Sequence, residues 1–189
     1  MSDATRTPGQ VALAWWQRNL RPDEDTGSAR ALRARLRRAD HATDILAESW
    51  VIELHDRLHR RTDPLTLAAL AQVLANVERH EGRRIAQAFG AGDPKPLSPL
   101  RFQRLIRSDD RGELATSLRR ALPMIDRACN VAALAEDVLF WGEKPRIRWC
   151  FDYYGAAPPR PAAATEEKPN DHLSAIPPAD GLSPVEPQP

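Results

Sequence analysis

The stretch Ser98–Leu122, SPLRFQRLIRSDDRGELATSLRRAL, decides how the rest of the chain is read. Its apolar residues recur every three or four positions, which predicts two short helices joined by a polar turn. Ser98-Pro99 has the form of a helix start: Ser can accept from the free N–H groups, and Pro is tolerated at the first helical position. Leu100, Leu105 and Ile106 are expected inward, with Arg101, Arg104 and Arg107 in water. Asp110 and Glu113 have capping-box spacing and predict a second start. Leu114, Leu118, Ala121 and Leu122 then form one apolar stripe, and Arg119 and Arg120 suit the negative end of the helix dipole.

Working outward, the same period dominates everywhere. Val11–Leu20 predicts a helix with Leu13, Trp16 and Leu20 on one side, so one of Trp15 and Trp16 is expected to face out. After the acidic loop Arg21–Gly27, Ser28 is the expected cap of a helix whose inner stripe is Ala29, Leu32, Leu36 and Ala39. Thr43–Arg60 reads as one longer helix, with Leu46, Trp50, Leu54 and Leu58 inward. Asp63-Pro64 restarts the chain into LTLAALAQVLANV, apolar enough to be the central core helix. A short helical turn in RRIAQAFG precedes the irregular run GAGDPKPLSP, where Gly and Pro crowd together. Asn130 is placed to cap VAALAEDVLFW, and Pro145 to open a last helix closed by Gly155. No segment alternates with a period of two, so no strand is expected. The fold class expected is all-α: a compact helical bundle over 9–155, followed by a tail over 156–189. Nine of the last 34 residues are proline, and large apolar residues there are few, so this tail is expected to be disordered.

Composition narrows the function classes. The 189 residues are 42% hydrophobic and 28% charged, and the formal net charge is +1. Two of the 27 basic and five of the 26 acidic residues fall beyond Gly155, which leaves the body at about +4. Lys95, Lys144 and Lys168 are the only lysines; every other cation is an arginine. Arginine forks onto phosphate and stacks on bases, although a GC-rich coding bias explains the same preference. Cys129 and Cys150 lie far apart in apolar surroundings and read as buried thiols of a reduced, cytoplasmic protein. No apolar run reaches the roughly 20 residues that span a bilayer, and no signal core is evident, so no membrane association is expected.

Few residues stand in patterns that carry chemistry. His55 and His59 stand four apart in HDRLH, but Asp56 replaces the glutamate of the zinc-protease pattern and no third ligand follows. His41 and His80 read as surface residues. Phosphate-binding glycine loops are absent, and Cys129 has no legible base, so no enzyme, cofactor or metal is expected. The densest positive patch is the helix after Ser28, with Arg30, Arg33, Arg35, Arg37 and Arg38; it suits either a phosphate backbone or a solvated, ion-paired face. The Ser98–Leu122 pair also invites a helix-turn-helix reading. Base contacts there come from the start of the second helix, where Asp109, Asp110 and Glu113 would repel phosphate. Sequence-specific DNA reading is therefore not expected, while backbone contact by the arginines remains open.

RFQRLIRSDDRGELATSLRRAL, followed by VAALAEDVLFWGEKPRIRW, resembles the CasB family, the small subunits of the type I-E CRISPR Cascade complex. AWWQ and GSARALRARLRRA fit the same pattern, and the resemblance runs from about Val11 to Tyr154. It implies a non-catalytic helical subunit, present in two copies along the belly of the complex. It also implies packing against the backbone and large subunits, and a basic face that holds crRNA and the target and non-target DNA strands. Guide pairing would carry sequence specificity and this subunit would add charge and shape. The family's basic positions are matched by Arg33 (or Arg35), Arg101, Arg107 and Arg120 with Arg119 beside it; Lys144 stands near another. Two departures mark the chain. Glu143 intervenes before Lys144 after the Trp-Gly pair, and Leu65 stands after Pro64 where the family has arginine, so Arg60, Arg61 or Arg146 are candidate substitutes. The proline-rich tail has no expected counterpart. A protein–protein scaffold whose arginines meet neighbouring carboxylates is the alternative; a hydrolase using His55 and His59 is a third and weaker class.

Overall fold

The computed structural model describes residues 6–22 and 26–157. Most of the expected tail (158–189), the first five residues and Asp23–Asp25 of the acidic loop lie outside the described residues. Ten α-helices follow one another in the described chain: α1 Pro8–Asn19, α2 Gly27–Arg38, α3 Ala42–Leu46, α4 Ser49–Arg57, α5 Pro64–Ala75, α6 Ile85–Gly90, α7 Pro99–Ile106, α8 Arg111–Ala121, α9 Val131–Leu139 and α10 Glu143–Tyr154. The all-α expectation holds, with one addition. Two-residue strands, β1 Arg79–His80 and β2 Ala128–Cys129, pair in parallel and tie the exit of α5 to the entry of α9. Two residues leave no room for alternation, so pattern could not show them. No described helix is long and apolar enough to cross a membrane.

α5 is the axis, as its composition predicts. Thr66–Ala71 and Val73–Ala75 are all buried, and α2, α3, α4, α8 and α9 all pack on it. Each fully buried leucine, such as Leu70 or Leu74, contributes roughly 2 kcal/mol of transfer free energy. The Asp63 carboxylate starts the helix by accepting from the Thr66 N–H at 2.9 Å. Those Thr66 hydrogen bonds hold the Asp63 carboxyl below its ordinary pKa. A depressed folded-state value means the cap stabilises above the ordinary aspartate range and is lost as pH falls through the folded value. Asp63→Ala is thus expected to cost about 1 kcal/mol at pH 7, with the gap to the parent closing below about pH 4. Urea titrations at the two pH values measure it; a gap independent of pH would refute the cap's role.

Several faces depart from the sequence expectation. Trp15 and Trp16 are both buried, because α1 lies between α4 and α9 and covers more than one stripe. Each indole finds an acceptor: Trp15 Nε1 donates to the Trp50 carbonyl at 2.8 Å and Trp16 Nε1 to the Leu74 carbonyl at 3.2 Å. The cap of α2 is Thr26, whose Oγ1 accepts from Ala29 N, rather than Ser28. The expected Thr43–Arg60 helix breaks between Leu46 and Ser49. That break shifts the phase, so Val51 is buried beside Leu54 while Trp50 is 43% exposed. α4 stops at Arg57, and His59 and Arg60 both take a left-handed φ of 57°. His55, bonded to the Thr62 carbonyl at 3.1 Å, and His59 therefore do not share a helical face. His80 is exposed, as expected, and its Nδ1 also accepts from Val131 N at the start of α9.

α6 packs on α10, and α7 is joined to α10 through Phe102. Asp137 of α9 is buried and accepts from the Trp149 indole at 2.7 Å and from Arg148; Arg84 stands 3.6 Å away. Burial pushes its carboxyl up while these donors oppose the shift. Gly155 closes α10 with φ 67°, as read from sequence. Cys129 is buried, its thiol pushed up to about 12 by desolvation, and Cys150 is partly covered.

Candidate nucleic-acid interface

The α7–α8 unit is built largely as the sequence predicts. Asp110 Oδ1 accepts from Glu113 N at 2.8 Å, and Glu113 Oε2 reaches back to Asp109 N at 2.9 Å, one residue earlier than a capping box requires. Leu114, Leu118, Ala121 and Leu122 are buried. Two details of α7 differ. Ser98 occupies the cap position but its hydroxyl makes no capping bond, and Leu100 is 60% exposed while Phe102 is buried instead. Phe102 stacks on Tyr153 of α10 with ring centroids 3.9 Å apart, and the Tyr153 hydroxyl donates to the Leu97 carbonyl at 2.6 Å. α7 is thereby fixed to α10 through an aromatic pair.

Between α7 and α8 opens a cleft of about 350 Å³. Leu97, Leu105, Ala121 and Met124 supply its apolar wall, and Arg101, Arg104 and Arg120 surround it with Ser117. All three arginines are exposed, and no carboxylate lines the cleft. Among the described residues none of them makes an ion pair. An arginine Nη1 of residue 101 stands 3.9 Å from the Met124 sulfur. Three unpaired guanidinium groups held close together repel one another, and this repulsion is relieved when an anion arrives.

Of the residues expected to meet nucleic acid, Arg101 and Arg120 meet at this cleft. Arg104, read from sequence only as solvated, joins them; its i, i+3 spacing from Arg101 was the available signal. Arg107 is exposed at the end of α7 but does not line the cleft. Arg119 points toward α2, with Nη1 3.4 Å from the Arg37 carbonyl. Lys144 is exposed on the first turn of α10. The two α2 positions stand apart. Arg33 is buried and donates to the carbonyls of Leu20 and Arg21 at 3.0 and 3.3 Å. Arg35 makes a two-pronged pair with Glu48, at 2.5 and 2.8 Å, which holds the Glu48 carboxyl below its ordinary range.

The densest arginine run is therefore largely engaged with the protein itself. Arg37 donates to the Ala75 carbonyl at 2.6 Å and to Glu78 at 3.2 Å, and burial lowers its pKa. The substitutes considered for the two departures are also mostly engaged. Arg60 pairs with Asp56 at 2.7 Å. Arg146 donates to the Ser108 carbonyl and lies over the Trp141 ring. Leu65 is 69% exposed.

Comparison with known proteins fits this helical frame. Residues 32–154 match the family described as CRISPR-associated protein Cse2. A CRISPR-associated protein Cse2 from Thermus thermophilus is 31% identical over 106 residues, 54% of this chain; the chain spans 59% of that relative's length. CasB from Thermus thermophilus superposes with a TM-score of 0.58 at 24% identity, over 80% of this chain and 100% of that one. A chain of the E. coli Cascade structure bound to a PAM-containing dsDNA target superposes with a TM-score of 0.54 at 20% identity, over 76% of this chain and 91% of that one. These superpositions show a shared fold, and the match over residues 32–154 covers well over half of the sequence. The chain belongs to the CRISPR-associated Cse2 family.

Proposed function

We propose that this chain is a non-catalytic small subunit of a type I-E Cascade complex that holds guide RNA and the DNA strands of the R-loop by arginine–phosphate contact. One observation carries the reading: in a chain of the Cse2 family, Arg101, Arg104 and Arg120 converge unpaired on one cleft that no carboxylate lines. Phosphate contact of this kind fixes position without reading sequence. The neighbour of similar fold from E. coli is itself part of a Cascade bound to a dsDNA target, which supports the same assignment here. The backbone and large subunits, crRNA, both DNA strands and a second copy are the proposed partners, and the cytoplasm is the proposed location.

A scaffold role is the second reading, favoured by Leu65, Phe140 and Ile147, which are 69%, 62% and 48% exposed and suit contact with other subunits. Titration of the full chain against a fluorescent single-stranded oligonucleotide at rising KCl separates the two. Phosphate contact predicts binding at low salt that falls steeply, by roughly 0.7 in log K per log salt for each phosphate neutralised. No binding at low salt would overturn the nucleic-acid reading in favour of the scaffold.

A further inference from the structure

The geometry points to the α7–α8 cleft as a receptor for one unpaired base of a single-stranded nucleic acid, with the flanking phosphates on its arginine rim; this rests on the nucleic-acid reading above. A face that met phosphates alone would need charge and no depth. Here the charge surrounds a cavity of about 350 Å³ whose inner wall is Leu97, Leu105, Ala121 and Met124. That volume lies at the lower end of small-ligand sites and exceeds what a nucleobase occupies.

The chemistry of the wall suits a base ring. A thioether makes favourable contact with aromatic rings, and Met124 forms part of the wall. Guanidinium planes stack on unpaired bases, and three surround the cleft. Charge complementarity selects the ligand further, because three cations and no carboxylate line the site. Duplex nucleic acid cannot use the interior, since its bases are stacked and paired. A splayed strand can, which makes the site selective for single strands without selecting a sequence.

The wall is also held in place before any ligand arrives. Leu97 is buried, its N–H donates to the Phe89 carbonyl at 3.2 Å, and its carbonyl accepts from the Tyr153 hydroxyl at 2.6 Å. Leu105 and Ala121 are buried residues of α7 and α8. A preformed wall reduces the entropic cost of ordering the site around a base.

The test compares a short oligodeoxythymidylate with the same backbone carrying abasic sugars, so that phosphate number is constant. Base insertion predicts that the full chain binds the abasic strand at least about fivefold more weakly. The variant Ser117→Phe, placed at the part-exposed lining position of α8, fills the cleft and leaves every arginine in place. It is expected to erase that preference while retaining abasic binding, with its thermal melt confirming the fold. Equal binding of both strands by the parent chain overturns the base receptor and leaves phosphate contact standing. Failure of the parent chain to bind either strand overturns the nucleic-acid reading and this inference with it.

Discussion

Replacing Arg101, Arg104 and Arg120 together by glutamine is expected to remove most of the protein's affinity for single-stranded nucleic acid without unfolding it. All three side chains are exposed and lack ion pairs among the described residues, so the folded state loses little with them. Removing three phosphate contacts lowers the slope of log K against log salt by about 2. Extrapolated from about 1 M down to about 50 mM salt, that slope change corresponds to a loss of roughly two and a half orders of magnitude in affinity. The melting temperature should stay within a few degrees of the parent, since surface changes of this kind cost under about 0.5 kcal/mol. A parallel variant, Arg35→Gln with Arg37→Gln, is the contrast. Those residues pair with Glu48 and Glu78, so it should lower stability more and nucleic-acid affinity less. If the α2 variant lost affinity and the cleft variant kept it, the interface would lie on the dense arginine run instead.

Gly90→Ala is expected to be among the most damaging single changes in the chain. A Cβ at Gly90 would stand 1.9 Å from the Tyr153 carbonyl oxygen and 2.7 Å from its carbon, both backbone atoms. α6 rests chiefly on α10, and this glycine lets the two backbones touch. Lys95 Nζ bonds to both carbonyls there, at 2.9 Å to Gly90 and 3.3 Å to Tyr153. Relief requires α6 and α10 to separate, at a cost of about 2–4 kcal/mol in denaturant unfolding. The displacement also reaches the cleft, because Tyr153 carries Phe102 by stacking and Leu97 by hydrogen bonding. Oligonucleotide affinity should therefore fall in the molecules that remain folded. Gly27→Ala is the control: a Cβ there meets nothing within 4 Å, and at a helix start alanine should change stability by under about 1 kcal/mol. Equal stability of the two variants would show that α6 and α10 can separate without cost.

The helical frame was legible because its signals are local. Asp63-Pro64, Asp110, Asn130 and Gly155 each act within four residues of themselves, and each stands where the chain pattern placed it. The stripe of α8 and the apolar run of α5 required only helical period. The buried faces depart from the local pattern where helices are short. α7 has eight residues, and α4 has nine and follows a break after α3; in such lengths the phase of the buried face is poorly defined, and Leu100 and Trp50 are the result. Both Trp15 and Trp16 are buried because α1 has neighbours on two sides, which period alone does not convey.

The arginines divide more sharply. Sequence by itself determined that the chain is rich in arginine and follows the CasB pattern from its first tryptophans to its last helix. It ranked α2 as the strongest positive patch by density alone. Only the tertiary structure decided which cations remain available, because a guanidinium is neutralised by groups distant in sequence. Glu48 reaches Arg35 across 13 residues, Glu78 reaches Arg37 across 41, and the turn at Leu20 and Arg21 engages Arg33. Arg101, Arg104 and Arg120 stay unpaired for the complementary reason: packing α7 against α8 brings them together where no acidic side chain follows.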